Sequence, residues 1–166
     1  MKVKLILISF FFLFSCSKSI SERQLNTIIY SYENYNAKGD DSPLGQYTES
    51  HFEDYARFCD SLKTELKSFN IEKLSEDSQI SYKLLNFVLN ETIVKYKFKT
   101  HWNPILSDGG FHLSLTFRVR PLTDKKSSIK YLKLLKAIPD YINQQKVLIK
   151  KGLDAGMGQP LVIFKG

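Results

Sequence analysis

The stretch SHFEDYARFCDSLKTELKSFN, residues 50–70, decides the fold, because its apolar residues recur at the spacing of an α-helix. They step along the chain by three and four positions and form one continuous stripe of Phe52, Tyr55, Cys59, Leu62, Leu66 and Phe69. Ser50 and Glu53 have the spacing of a capping box, so we expect the helix to begin there and to end at Asn70. The stretch therefore predicts an amphipathic helix with one buried face.

Most of the remaining chain follows the same helical periodicity, without internal repeats. Ser75 is the expected N-cap of a helix that is apolar over a wide face, and Asp124 is expected to cap another. Pro139 is expected to divide the last helical region into two helices that fold back or kink. Before it, the side chains expected to face inward are Ile129, Leu132, Leu135 and Ala137. We therefore predict an all-α fold, an irregular multi-helix array with helices over residues 22–37, 50–70, 75–97, 123–138 and 139–156.

Two segments also carry strand-like patterns. Phe111–Val119 alternates apolar and polar residues in part, so a strand and a short helix with loops both fit, and we favour the helix. The chain ends with GLDAGMGQPLVIFKG, Gly152–Gly166, in which a helix stops at a glycine cluster and an apolar, strand-like run follows. Finished domains usually end in polar residues or a docked helix, so we expect this run to be the middle of a longer protein.

The N-terminus, MKVKLILISFFFLFSCSKS, has the parts of a secretory signal. Lys2 and Lys4 precede an apolar run that is too short to span a bilayer. Leu13–Cys16 then resembles the lipobox of bacterial lipoproteins, in which the cysteine thiol receives diacylglycerol. We predict a lipoprotein signal peptide over residues 1–15, a lipidated Cys16, and a short tether over residues 16–21. The alternative is an ordinary signal peptide with a chance cysteine.

Lipidation of Cys16 would make the lipid bilayer a partner of the chain, because two or three acyl chains anchor a protein stably. Ser17 follows the cysteine, at the position where an aspartate favours inner-membrane retention in many Gram-negative bacteria. We therefore expect the chain to be anchored in the outer membrane and to face the periplasm. The formal net charge is +7, and removal of Lys2 and Lys4 with the signal leaves +5. This excess is spread over the chain without nucleic-acid-reading motifs, so no nucleic-acid partner is predicted.

Chemistry-bearing residues are few and their spacing is unspecific. The three histidines, His51, His101 and His112, form no zinc-binding helix pattern, although His101 and His112 could meet in space. Cys59 falls on the apolar stripe and is expected to be a buried, inert thiol. The acidic pairs Asp40-Asp41 and Glu76-Asp77 stand where turns and helix starts favour acids. We therefore predict no catalytic, cofactor-binding or metal-binding residue.

Several motifs occur in the order found in one bacterial family. They are Ile71–Leu85 (IEKLSEDSQISYKLL), Thr123-Asp124 with Tyr131–Leu135 and Ile138-Pro139, and the series Gly152, Gly156, Pro160 and Val162. In these motifs the chain resembles the domain of unknown function 885 family, whose members are often lipoproteins of several hundred residues. The resemblance covers roughly Glu22 to Lys165.

That family is similar to helical zinc metallopeptidases, and its zinc motif is a His-Glu…Pro-Gly-His stretch. The motif lies downstream of the matched region, so no residue of this chain matches it. The resemblance implies that residues 22–166 are the helical N-terminal portion of a larger fold, incomplete at the C-terminus and inactive alone. Zinc is expected only in the full-length family member, and the C-terminal half of that member is an expected partner.

Three functional hypotheses follow. The chain is an N-terminal scaffold fragment of such a membrane-anchored lipoprotein, or a neighbouring chain supplies the zinc half. Alternatively it is a small autonomous helical lipoprotein that acts as a binding or structural module in the cell envelope. The apolar tail favours the first hypothesis.

Overall fold

A computed structural model describes residues 20–35, 42–105, 109–119, 121–158 and 160–164. Helices account for the regular structure of these residues, and no strand occurs among them, which confirms the all-α prediction. We number the α-helices in chain order as α1 (Ile20–Glu33), α2 (Glu49–Leu66), α3 (Glu76–Lys97), α4 (Phe111–Ser114) and α5 (Lys125–Asp154). Short 3-10 turns lie at Ile71–Lys73, Thr100–Trp102, Thr116–Arg118 and Leu161–Phe164.

The core lies between α1, α2 and α3. Its buried side chains come from the apolar faces of these helices and from the turn before α3, and they are Leu25, Ile28, Cys59, Leu62, Leu66, Leu74, Leu85 and Leu89. Five of the six predicted stripe residues of α2 either belong to this cluster or pack on it as half-buried rings. The stripe prediction is thus confirmed, because burial of one helical face drives the packing of the three helices.

The predicted start of α2 is wrong by a short distance. The N-cap is Thr48, whose hydroxyl accepts a hydrogen bond from the His51 amide, and Ser50 already lies inside the first turn. A hydroxyl or carboxyl side chain can cap a helix when the backbone of its own residue is extended, and Thr48 has that conformation. The helix ends at Leu66, before the predicted Asn70, which instead caps the 3-10 turn that follows.

The predicted helix over residues 75–97 is confirmed in both bounds, since α3 follows the N-cap Ser75 and ends at Lys97. Its wide apolar face is divided in the structure. Leu85 and Leu89 are buried against the core, whereas Ile80, Leu84 and Phe87 lie exposed on the opposite side. Glu76 and Asp77 occupy the first turn, as predicted for acids that favour a helix start.

The segment after α3 forms short helices. Phe111–Ser114 is one turn of α-helix and Thr116–Arg118 is a 3-10 turn, so the favoured helix prediction for Phe111–Val119 is confirmed over the strand. An isolated antiparallel bridge joins Ile105 to Gly110 and closes the loop in front of α4.

The division of the last helical region at Pro139 is wrong, because α5 runs without interruption from Lys125 to Asp154. Asp124 caps it as predicted and forms a reciprocal capping box with Ser127. The expected inward orientation of Ile129, Leu132 and Leu135 is also wrong, since their side chains are exposed. The buried residues of α5 all follow the proline, at Tyr141, Gln145, Leu148 and Gly152.

Both ends of the described chain differ from the sequence predictions. Helix α1 already begins at Ile20, so the last two residues of the predicted tether are helical, and it ends at Glu33 rather than near Ala37. After α5, Leu161–Phe164 forms a 3-10 turn instead of a strand-like run. Residues 1–19, including Cys16, lie outside the described residues, as does the acidic pair Asp40-Asp41. None of the described helices combines the length and the apolar character needed to cross a membrane.

Candidate functional site: the Glu49 cluster and an aromatic cavity

Glu49 is the first residue of α2, and its carboxylate joins three parts of the chain. Trp102 Nε1 donates to Glu49 Oε2 at 2.6 Å, and His101 Nε2 lies 3.3 Å from the same oxygen. Lys99 Nζ lies 3.1 Å from Glu49 Oε1, and Lys151 Nζ lies 3.3 Å from Oε2. We call these five residues the Glu49 cluster. Through it, α2 is connected to the turn after α3 and to the end of α5.

The local backbone geometry at Thr48 and Lys99 positions the side chains of the Glu49 cluster close together. The Thr48 cap fixes the first turn of α2 and thereby the position of Glu49. Among the described residues, Lys99 is the one non-glycine residue with a positive φ, 54°, which turns the chain sharply from α3 into Thr100–Trp102. The Lys99 ammonium lies 3.8 Å from the centre of the Tyr96 ring, so a cation–π contact supports the left-handed backbone at this residue.

The protonation states of the cluster follow from burial and from its hydrogen bonds. Burial raises the pKa of Glu49, but the hydrogen bonds from Trp102, Lys99, His101 and Lys151 together outweigh burial and lower it to about 2. Burial lowers the pKa of His101, and the charges of Lys99 and Lys151 act in the same direction against Glu49. Glu49 is therefore ionised and His101 neutral near pH 7.

The His101 ring is held between two other rings. It stacks on Phe52 at 4.4 Å between ring centres and on Tyr96 at 5.5 Å. Its side chain is only 6% exposed. Such a ring has little freedom to move, so His101 helps to hold α2 against α3 and the turn that follows it.

A cavity of about 570 Å³ lies next to His101, between α2, α3, α4 and α5. Six aromatic side chains form much of its wall, and they are Tyr47, Phe52, Tyr55, Tyr96, Phe111 and Tyr141. We call it the aromatic cavity. Its volume falls within the range of small-molecule binding sites, which are mostly apolar with a few placed polar groups.

Gln145 is a polar residue of the cavity wall whose side chain has a polar atom without a hydrogen-bond partner in the part of the chain that the structure describes. Gln145 lines the aromatic cavity from α5 and is 1% exposed. Within the described residues, its Oε1 is buried without a hydrogen-bond partner. Leaving a buried acceptor unpaired costs about 1–3 kcal/mol, so this atom marks the place where a donor would be most favourable.

Tyr141 and Tyr47 connect the cavity wall to the neighbouring segments. The Tyr141 hydroxyl donates to the Phe111 carbonyl at 3.3 Å and lies 3.3 Å from Ser114 Oγ. The Tyr47 amide donates to Gln144 Oε1 at 2.6 Å. Helix α4 and the loop before α2 are thereby both attached to α5, and the cavity wall is fixed on these sides.

The residues singled out in the sequence have different environments. Cys59 is fully buried in the core, where burial raises the pKa of its thiol to about 11, as expected for an inert cysteine. His101 joins the Glu49 cluster, whereas His112 is exposed on α4 beside Phe111, so the structure gives the two histidines different neighbours. His51 lies in the first turn of α2 against Phe52.

A zinc ion does not fit the residues that the structure describes. No three His, Cys, Asp or Glu side chains are grouped there so that they could hold a metal. Glu49, the one carboxylate paired with a histidine in the described part of the chain, is already bound by two lysine ammonium groups, which would repel a cation. The expectation that zinc belongs to a full-length family member stays a prediction.

Sequence reasoning missed the Glu49 cluster and Gln145. Glu49 lies just before the predicted helix over residues 50–70, and helical spacing gives no sign that Lys99 and Lys151 are paired. The single tryptophan of the chain, Trp102, was the one available signal, because a buried indole N–H needs an acceptor.

Comparisons of the chain with protein-family models, with curated proteins and with solved structures give no match.

Proposed function

We propose that this chain is the lipid-anchored helical scaffold of a cell-envelope protein that resembles the domain of unknown function 885 family. In this proposal it has no catalytic activity of its own. Acylated Cys16 anchors it to the outer membrane, facing the periplasm, and its helices support a further portion that carries the zinc motif. That portion is either continuous with this chain or supplied by a neighbouring chain.

The observation that supports the scaffold proposal most strongly is the exposed apolar side of α3. Ile80, Leu84 and Phe87 are 64%, 62% and 65% exposed, and their spacing of four and three residues places them on one face. Val94, 38% exposed, lies seven residues further along the same face. We call these four residues the outer stripe of α3. Full burial of each such side chain would contribute about 1.5–3 kcal/mol.

Helix α5 supports the same proposal. Ile129 and Leu132, in the half of α5 before Pro139, are 57% and 55% exposed. Contiguous apolar patches on a folded protein mark surfaces that bind other protein or lipid. In this proposal, further helices of the kind found in that family cover these apolar surfaces, because the motif order of this chain resembles the region that precedes the zinc motif.

The alternative is an autonomous helical lipoprotein that acts as a binding or structural module. The two proposals differ in solution behaviour. A scaffold without its partner exposes the outer stripe and is expected to self-associate, whereas an autonomous module is expected to be monomeric and to unfold cooperatively.

The proposal is tested by analytical sedimentation in detergent. The association state of the full unmodified chain is compared with that of the double variant Leu84→Gln/Phe87→Gln. We expect the unmodified chain to self-associate and the variant to be less associated without a lower Tm, because both side chains are exposed. Lys83→Gln, on an adjacent position of α3, is the control and should behave like the unmodified chain. A monomeric unmodified chain would favour the autonomous module.

A further inference from the structure

We propose that the aromatic cavity binds a small, mainly aromatic, neutral molecule that carries one N–H or O–H group, and that Gln145 Oε1 accepts the hydrogen bond from this group. The inference goes beyond the scaffold role and does not depend on it.

The wall of the cavity favours an aromatic ligand. Tyr141 makes edge-on contacts with Tyr47 at 5.0 Å and 80° and with Phe111 at 6.0 Å and 67°. Rings that hold each other in this way present fixed faces and edges toward the cavity, which suit a further ring in an offset or edge-on arrangement. A ligand ring would therefore find its partners already in place, and binding would order few side chains.

Gln145 supplies the polar part of the recognition. Its side chain lines the cavity, is almost completely buried and has an unpartnered carbonyl oxygen. The terminal torsion of a glutamine is soft, so rotation about it can turn the amide of Gln145 toward a donor in the cavity. A donor at this point removes the unfavourable free energy of a buried, unpaired acceptor, so the site selects molecules that have one.

The charges around the cavity favour a neutral ligand. Lys95 and His101 are the basic side chains among the described residues that line it. Lys95 is paired with Glu91 at 2.8 Å, and His101 faces Glu49 at 3.3 Å. Neither presents an unpaired positive charge to an anion.

Indole and benzofuran test the proposal, because they have nearly the same shape and differ in the N–H group. The full chain is embedded in phosphatidylcholine nanodiscs, and each probe is titrated by calorimetry, with empty nanodiscs as the background. We expect indole to bind roughly tenfold more tightly than benzofuran, the factor typical of one buried hydrogen bond. Gln145→Met keeps the side-chain volume and should remove this preference.

Asn143→Leu is the matched control, because it removes an amide from an exposed position of the same helix. It should leave the preference for indole unchanged. Equal affinities of the two probes for the unmodified chain, or no binding of either at millimolar concentration, would overturn the proposal.

A second variant covers the case in which Gln145→Met does not fold. Thr100 is an exposed residue that lines the cavity, so Thr100→Trp should fill part of the space and weaken both probes by a similar factor. Unchanged binding of both probes to Thr100→Trp would place them elsewhere on the protein and overturn the assignment to this cavity.

Discussion

Gly152 of α5 packs directly against the backbone of Trp102, and a Cβ atom on Gly152 would lie 2.4 Å from the Trp102 carbonyl oxygen. Only glycine permits this approach between the helix and the 3-10 turn. The approach brings Lys151 and the Trp102 indole to the same carboxylate, so the Glu49 cluster depends on a residue that carries no side chain.

Gly152→Ala is therefore expected to destabilise the fold. The added methyl group meets backbone atoms, which cannot move aside as a flexible side chain would, so the free energy of unfolding should fall by about 2 kcal/mol. Chemical denaturation measures this change. Gly109→Ala is the control, because a Cβ there meets no atom of the described residues within 4 Å, and equal stability of the two variants would contradict the packing described.

Glu49→Gln should lower the free energy of unfolding by about 2 kcal/mol, because a half-buried, charge-assisted hydrogen-bond network then loses its charge. The amide cannot balance the ammonium groups of Lys99 and Lys151. Glu53→Gln removes a carboxylate from an exposed ion pair on the same helix and is expected to have a much smaller effect. Comparable losses in both variants would show that the cluster does not hold the helices together.

The stability of the unmodified chain should depend on Glu49 at acidic pH. The pKa of Glu49 is about 2 in the folded protein and near 4.5 when unfolded, so the unfolded chain takes up the proton first as pH falls. The stabilisation is complete above about pH 4.5 and is lost progressively toward pH 2. Denaturation curves between these pH values should show a steeper loss for the unmodified chain than for Glu49→Gln.

Cys59 should be unreactive in the folded protein. Its side chain is fully buried and burial raises the pKa of the thiol to about 11, so little thiolate is present or accessible at pH 8. Iodoacetamide followed by peptide mass spectrometry should find Cys59 unmodified in the native chain and modified after unfolding in guanidinium. Rapid native modification would contradict its place in the core.

Cys16→Ser should abolish lipidation and leave the precursor uncleaved. The thioether to diacylglycerol requires a thiol, and cleavage of a lipoprotein signal follows lipid transfer. Metabolic labelling with palmitate measures the transfer directly. Cys59→Ser is the matched control and should retain the label, whereas a labelled Cys16→Ser chain would refute the lipobox prediction.

The elements that could be predicted from sequence are those with a strong local signal. The start of α3 follows from Ser75 and the acidic first turn, and the buried stripe of α2 follows from helical spacing. Both signals lie within about one helix length of the residues that they explain. Tertiary packing then selects which apolar face is covered, and the outer stripe of α3 could not be distinguished from the buried face by pattern alone.

The misplaced features depend on contacts between distant residues. Proline removes a helical hydrogen bond, so Pro139 locally favours a break. Helix α5 nevertheless continues through it, because Asp124 caps one end and the packing of Tyr141, Leu148 and Gly152 fixes the other. The Glu49 cluster joins residues 50 to 102 positions apart, a distance over which spacing patterns carry no information.

The proposal that this chain is the scaffold of a larger zinc-peptidase-like lipoprotein is tested most directly by the genomic DNA beyond codon 166. We expect an open reading frame, in register or shifted, or an adjacent gene, that encodes a His-Glu…Pro-Gly-His stretch. A stop codon followed only by unrelated sequence, with no such gene beside it, would contradict the scaffold proposal and favour the autonomous module.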